Sequence, residues 1–134
     1  DVHAGAQARD LGSAWLLQEL VPGRVEYSTS LLVDSGRVLD MVTVRYEYDA
    51  EAYVWPRATE VTKGLHEALP EHCDVMRAFL RGYSGICNFN YKVRSNGMMC
   101  IFEVNPRIGA DLIGDVPKAR ARALLEELDA RCTG

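Results

Sequence analysis

The sequence predicts an α+β fold in which a predominantly antiparallel sheet is backed by helices. Two stretches, 25–48 and 84–104, have strand-like composition around a central turn signal, which is typical of hairpins. Two others, 70–80 and 116–131, have the apolar spacing or the composition of helices. The predicted order is ββ(β)–loop–α–ββ–α, in a single domain that covers residues 1–134.

The first part of the chain predicts strands. Residues 14–20 indicate a short buried strand that stops at Val21-Pro-Gly23. Residues 25–33 alternate loosely and are rich in β-formers. Asp34-Ser-Gly36 is a turn signal, and 37–48 returns as a long strand carrying Val38, Leu39, Val42, Val44 and Tyr46. We therefore expect an antiparallel hairpin.

A loop and a helix follow the first hairpin. Residues 49–64 are polar and have no clear period, which predicts a surface loop. The helix is predicted from about Pro70 to Leu80, because proline is well accommodated in the first turn and Gly82 supplies a stop.

A second hairpin and a last helix complete the prediction. Residues 84–93 and 98–104 flank Arg94-Ser-Asn-Gly97, whose Asn-Gly pair favours a tight turn. Residues 116–131 are rich in Ala, Leu, Arg and Glu and predict a helix with Lys118, Arg120 and Arg122 toward water.

Composition excludes several classes of protein. The 134 residues suit one compact domain, and 48% hydrophobic with 25% charged residues is typical of a soluble globular protein. A net charge of −4 without a basic stripe argues against nucleic-acid binding, and no apolar run is long enough for a membrane span. The start lacks signal-peptide features, and the four cysteines lack metal-finger spacing, so we expect the cytoplasm.

The most informative stretch is the strand of the second hairpin that ends in polar residues. Apolar residues 99–102 are followed by Glu103, Asn105 and Arg107, with Pro106 ending the pairing. Side chains two apart on a strand share a face, so these three are expected to point the same way. Oxygen ligands beside a guanidinium suit a hard cation that bridges phosphates.

Residues across the hairpin extend this candidate site. With antiparallel pairing, Asn90 lies opposite the neighbourhood of Glu103, and Asn88 shares its face, so either can contribute an oxygen. Mg²⁺ takes one or two carboxylates and completes its shell with water and phosphate oxygens. An alternative is that Glu103 and Arg107 form a surface ion pair while Asn105 caps a turn. Spacing alone does not decide between the two.

These residues carry a resemblance to a known family. Phe89-Asn-Tyr91, followed by Cys100-Ile-Phe-Glu-Val-Asn-Pro-Arg-Ile-Gly109, resembles the C-terminal motif of the ATP-grasp superfamily, which includes biotin carboxylase, carbamoyl-phosphate synthetase and many carboxylate–amine ligases. Trp15-Leu-Leu-Gln-Glu-Leu-Val-Pro-Gly23 resembles the strand and hinge over which that family lays adenine, and Val25-Glu-Tyr-Ser28 the strand after it. The similarity spans most of residues 14–112 and implies ATP and Mg²⁺, or Mn²⁺, as cofactors.

The resemblance implies a role for each matching position. The nucleotide-binding residues would be Gln18 at the adenine amino group, Glu19 and Val21 through their backbone, and Glu26 at the ribose. The metal ligands would be Asn90, Glu103 and Asn105. Arg107 would lie over the transferred phosphoryl group or the substrate, while Arg45 is better explained as a solvated charge at a strand end.

The resemblance also implies a larger enzyme. Family members clasp ATP between two lobes, and the strand lysine and Gly-rich loop of the earlier lobe have no counterpart in this sequence. We therefore expect the C-terminal lobe of an ATP-dependent ligase that joins a carboxylate to an amine through an acyl phosphate, inactive without its partner lobe. A homodimer through the exposed lobe interface is a further expectation. Because Asn90 is neutral where the family usually has Glu, Asp or Gln, a non-catalytic nucleotide-binding or interaction module is the alternative.

Overall fold

The computed structural model describes residues 14, 18–52 and 58–132, which contain one antiparallel sheet and three helices. The strand order is β3-β2-β1-β4-β5, with every neighbouring pair antiparallel. The predicted α+β class is confirmed. The elements in chain order are β1 (Val25–Asp34), β2 (Arg37–Tyr48), β3 (Glu60–His66), α1 (Pro70–Phe79), β4 (Gly85–Val93), β5 (Met99–Asn105), α2 (Ala110–Gly114) and α3 (Lys118–Cys132).

Both predicted hairpins are present. β1 and β2 pair across a turn at Ser35 and Gly36, whose φ angles of 50° and 81° lie in the left-handed region that favours glycine. β4 and β5 pair around the Asn-Gly turn, and β5 ends at Asn105, immediately before Pro106, as predicted. The two hairpins join through β1 and β4, so β1 is the central strand of the sheet.

Each face of the sheet packs against helices. Alternation along β1 sends Leu31 and Leu32, each 1% exposed, to opposite faces. One face packs against α1 in a cluster formed by Leu31, Val33, Met76, Leu80, Cys87, Phe89 and Tyr91. The other face packs against α2 and α3 in a cluster formed by Leu32, Val42, Val44, Tyr46, Tyr48, Leu112, Val116, Ala121 and Leu124. On β1, β4 and β5, this second face becomes polar beside α2, and we call that region the polar face.

Two predicted segments differ from the structure. The predicted loop 49–64 is wrong at its end, because β3 begins at Glu60 and pairs with β2. All seven residues of this edge strand are exposed, so no apolar alternation marked it. Of the predicted buried strand 14–20, residues 18–20 are exposed and lie outside any strand, and Leu20 is 66% exposed. Residues 15–17 of that prediction lie outside the described residues.

The C-terminal helices also refine the prediction. The five-residue α2 was not predicted, because it is too short to show a helical period. In α3, Lys118 and Arg122 are exposed as expected, but Arg120 is only partly exposed. Its guanidinium donates to both carboxylate oxygens of Asp40, at 2.8 and 2.6 Å, and to the Met41 carbonyl at 2.9 Å. Within the described part of the chain, no helix is long and apolar enough to cross a membrane.

Candidate functional site

Strand pairing brings the predicted metal ligands onto the polar face. Asn90 lies directly opposite Glu103, and Asn88 opposite Asn105, in the register of β4 and β5. Residues directly opposite each other share a face of the sheet, so all four side chains belong to the polar face. The predicted proximity of Asn90 to Glu103 is confirmed by a hydrogen bond of 3.0 Å from Asn90 Nδ2 to Glu103 Oε2.

Both amide protons of Asn90 have acceptors. Besides Glu103, Asn90 Nδ2 donates to Asn88 Oδ1 at 3.0 Å. Among the described residues nothing donates to Asn90 Oδ1, which remains available as an oxygen ligand. The Glu103 carboxylate is exposed and has one oxygen in the hydrogen bond with Asn90. The pair therefore offers one carboxylate and one carboxamide oxygen to a cation.

A buried aspartate behind these residues was not predicted. Asp111, on α2, is 5% exposed and accepts hydrogen bonds from Asn88 Nδ2 at 3.0 Å and from Ser30 Oγ at 3.2 Å. Burial raises the pKa of Asp111, while hydrogen bonds from the Leu112 backbone and from Ser30 oppose that rise. No local motif pointed to this residue, because Ser30 lies 81 positions earlier in the sequence.

Arg107 lies beyond the end of β5, so the strand alternation used to orient it does not apply. Its backbone N–H donates to the Asn105 carbonyl at 2.8 Å, and its guanidinium donates to the Ile108 carbonyl at 3.1 Å. The ion pairs among the described residues do not join Arg107 to Glu103, which bonds to Asn90 instead. The surface ion pair considered as an alternative is therefore not formed. The guanidinium is exposed, and its predicted role stays a prediction.

The four predicted nucleotide-binding residues line one cavity. This cavity has a volume of about 330 Å³ and is lined by Gln18, Glu19, Leu20, Val21, Glu26, Lys92 and Phe102. Gln18 Nε2 donates to the Phe102 carbonyl at 3.2 Å, and the Glu19 carboxylate accepts from Arg94 at 2.5 Å. Phe102 is the extra residue where the β4–β5 register shifts, which leaves its backbone outside the regular ladder. The bulge thus helps to attach the chain before β1 to the sheet.

Lys92 forms a second contact with this part of the chain. It is 5% exposed, and its ammonium donates to the carbonyls of Val21, Gly23 and Glu51 at 3.3, 2.8 and 2.8 Å. Sequence reasoning missed this lysine, because its partners lie up to 71 positions away. The structure shows it to be the residue that holds residues 21–23, which we call the hinge, beside the cavity.

Charge on the polar face links the cavity to the Glu103 region. Burial raises the pKa of Glu26, the positive charge of Lys92 lowers it, and the negative charge of Glu103 raises it. Glu26 therefore lies within electrostatic reach of both the cavity lysine and the predicted metal ligand. Arg45, in contrast, pairs with Tyr27 in the β1–β2 register and so belongs to the opposite face, where it forms an ion pair of 3.1 Å with Glu47.

The donor set suits a Mg²⁺ ion that takes only some of its oxygen ligands from the protein. Among the residues that the structure describes, no three or more His, Cys, Asp or Glu side chains group as metal ligands. Glu103, Asn90 and Asn105 supply one carboxylate and two carboxamides, all hard oxygen donors. Mg²⁺ commonly binds through one or two carboxylates and takes its other oxygens from water and phosphates. The residues fit an ion that arrives with a nucleotide.

Known proteins resemble this chain in structure but not detectably in sequence. No protein-family model matches the sequence, and no curated protein matches it significantly. Among solved structures it is similar to the ATP-grasp ligase PsnB, in a complex with a minimal precursor, at a TM-score of 0.50 and 14% identity. The match covers 80% of this chain and 36% of PsnB, so the chain spans about a third of that ligase. This five-stranded antiparallel sheet with its helices thus resembles part of an ATP-grasp ligase.

Proposed function

We propose that this chain forms the ATP- and Mg²⁺-binding part of an ATP-dependent ligase that acts on a carboxylate and an amine or a related nucleophile. The observation that carries the proposal is the continuity of the polar face. The cavity lined by residues 18–21 and Glu26 adjoins the oxygen ligands around Glu103, since Phe102 lines the cavity and Glu103 follows it directly. A nucleotide with its base in the cavity would extend its phosphates toward Glu103.

The residues of the chain would bind and orient the nucleotide. Gln18, together with the backbone of Glu19 and Val21, would contact the adenine edge, and the half-buried Glu26 would accept hydrogen bonds from ribose hydroxyls. Asn90, Glu103 and Asn105 would hold the metal, the last two as direct ligands from alternate positions of β5. Such a site works by positioning and by charge stabilisation and needs no protein nucleophile.

Arg107 would act at the transferred group. Its guanidinium is exposed and close in sequence to Asn105, so it can swing toward a phosphoryl group or a substrate carboxylate. Bound Mg·ATP supplies the phosphoryl group that activates the carboxylate in this class of reaction. Because the chain corresponds to about a third of PsnB, we propose that a second lobe supplies the remaining phosphate contacts and the substrate site.

Binding of Mg·ATP to the 134-residue chain tests this proposal. We expect a two-dimensional NMR titration to shift signals of the hinge, Glu26 and the end of β5, and Mn²⁺ in place of Mg²⁺ to broaden Asn90 and Asn105 selectively. Glu103→Ala should weaken Mn·ATP binding at least about tenfold, as expected for a lost metal ligand. Glu71→Ala, an exposed glutamate of α1 on the other side of the sheet, is the control. Equal affinity in the chain and in Glu103→Ala would exclude the metal site.

A second candidate is a non-catalytic nucleotide-binding module. The neutral Asn90 favours it, because the polar face then offers a single exposed carboxylate, and a second metal ion is disfavoured. The two candidates differ when the chain is combined with the rest of its parent protein: with both substrates present a ligase turns ATP over and forms product, whereas a binding module retains ATP unchanged. Homodimer formation stays a prediction, and light scattering on the chain would measure it.

A further inference from the structure

We propose that Asp111 is a positioning residue that acts through Asn88 to fix the orientation of the Asn90 carboxamide. The consequence is that Asn90 presents its oxygen, not its nitrogen, to a ligand on the polar face. The identity of that ligand rests on the function proposed above, but the orientation itself is a property of the ligand-free chain.

The first step is the contact between Asp111 and Asn88. Both side chains are buried, at 5% and 2% exposure, and Asn88 Nδ2 lies 3.0 Å from Asp111 Oδ1. A carboxylate only accepts hydrogen bonds, so it selects the amide orientation in which the nitrogen of Asn88 faces it. Ser30 Oγ donates to the second oxygen of Asp111 at 3.2 Å and holds the carboxylate in place.

The second step passes this orientation to Asn90. With its nitrogen toward Asp111, Asn88 leaves its Oδ1 for Asn90, two residues further along β4, and accepts from Asn90 Nδ2 at 3.0 Å. The second proton on Asn90 Nδ2 goes to Glu103 Oε2, also at 3.0 Å. Both protons of Asn90 are therefore committed, and its Oδ1 is left for an outside partner. A flipped Asn90 would direct its oxygen at the Glu103 carboxylate, which is unfavourable because neither group donates.

The loop after β5 is built around the first contact. A Cβ atom added at Gly109 would lie 2.1 Å from Asp111 Oδ1 and 2.7 Å from Asn88 Nδ2, both far inside van der Waals contact. The φ angle of Gly109 is −73°, so backbone conformation does not require glycine at this position. The absence of a side chain lets the loop approach the Asp111–Asn88 hydrogen bond. Gly109→Ala therefore disturbs the same contact by a different route.

Asp111→Asn is the direct test, because it keeps the size of the side chain and removes the obligatory acceptor. Asp115→Asn is the matched control. Asp115 lies four residues further on, and its carboxylate binds the Tyr46 hydroxyl at 2.7 Å and Lys63 at 2.8 Å, away from Asn88. Both substitutions exchange an aspartate for its amide beside α2, so a general loss of stability would affect both variants.

The first readout is the set of side-chain amide signals in the ligand-free chain. We expect Asp111→Asn and Gly109→Ala to shift or broaden the Asn90 side-chain amide signals, although neither residue touches Asn90, and we expect Asp115→Asn to leave them unchanged. The unmodified chain provides a measurement that does not depend on any variant folding. Its Asn88 side-chain amide protons should exchange slowly with solvent, because they are buried and bonded. Fast exchange there, or unchanged Asn90 signals in Asp111→Asn, would overturn the proposal.

The second readout is the affinity for Mn·ATP. Residues that orient metal ligands commonly change metal affinity about 10- to 100-fold when substituted, so Asp111→Asn should weaken Mn·ATP at least about tenfold, with Asp115→Asn unaffected. If the unmodified chain fails to bind Mn·ATP, the proposed function is wrong, while the amide signals still decide whether Asp111 orients Asn90. If the chain binds and Asp111→Asn binds equally well, the positioning role is wrong and the proposed function stands.

Discussion

Replacing Lys92 with methionine should destabilise the chain and open the cavity at the same time. The substitution keeps an unbranched side chain of similar reach and removes only the ammonium group. That group donates to the carbonyls of Val21, Gly23 and Glu51, which belong to two segments of the chain outside β4. Without it, the hinge and the start of the β2–β3 connection lose a common anchor.

The size of the effect follows from these contacts. A hydrogen bond that involves a charged group contributes about 1.5–3 kcal/mol to stability. Two bonds of 2.8 Å and one of 3.3 Å would give more than about 3 kcal/mol in total, but the variant no longer buries an ammonium group, which returns part of that amount. We expect a net loss of about 2–3 kcal/mol, equivalent to about 9 °C in melting temperature for a chain of 134 residues.

Urea unfolding and Mg·ATP titration measure the two consequences. Lys118→Met is the matched control, because Lys118 is exposed at the start of α3 and forms no described ion pair. We expect the control to remain within about 0.5 kcal/mol of the unmodified chain. A Lys92→Met chain that is as stable as the control would show that the three carbonyls find other partners, and the anchoring role would be refuted. If Lys92→Met is destabilised but binds the nucleotide with unchanged affinity, Lys92 anchors the hinge without shaping the nucleotide cavity.

Three further substitutions test the charges of the structure. Asn90→Asp places a second carboxylate beside Glu103, so in the absence of divalent cations we expect thermal melting to show a loss of stability of about 1–2 kcal/mol. Added Mn²⁺ should raise the melting temperature of Asn90→Asp more than that of the unmodified chain. An equal rise in both would contradict the metal site. Burial raises the pKa of Glu26 above its unfolded value near 4.5, so the contribution of Glu26 to stability is lost as pH rises from that value through its folded-state pKa. Glu26→Gln lacks this loss, and its stability in urea relative to the unmodified chain should improve from about pH 4 to about pH 7; a constant difference would argue against a raised pKa. Arg120→Met removes the partly exposed two-pronged contact with Asp40 and should cost about 1–2 kcal/mol in urea unfolding, whereas no change would show that the contact contributes nothing measurable.

The hairpins were predictable because their signals are local. Alternation and a turn motif set the pairing of β1 with β2 and of β4 with β5, and the register then placed Asn90 opposite Glu103. β3 was missed because an exposed edge strand gains its stability mainly from backbone pairing with β2, which any polar sequence can provide. Residues 18–20, although apolar in part, do not form a strand, because their side chains contribute to a cavity wall and do not pack in a sheet.

The supporting residues of the site were not predictable, since their partners are remote in sequence. Asp111 meets Ser30 across 81 positions, and Lys92 meets Val21 across 71. A pattern of composition or spacing reports on neighbours along the chain, whereas these contacts exist only after β1 and β4 have paired. The motif at the end of β5 pointed to the groups that face solvent. The buried residues that contact those groups from behind emerge only from the packed structure.

The polar face has more buried polarity than stability alone requires. Ser28, Ser30 and Asn88 continue the apolar face of the sheet, and Asp111 of α2 bonds to Ser30 and Asn88, at positions where aliphatic side chains would pack without any need for partners. Within the described residues every buried side-chain nitrogen and oxygen has a hydrogen-bond partner, so the network is complete. A complete polar network rigidifies its members, but it seldom stabilises a fold more than an apolar cluster of the same volume. Under the proposal that Asp111 acts through Asn88, the benefit of the network would be a fixed orientation of Asn90 beside Glu103, which would matter to a bound ligand and contribute little to the fold.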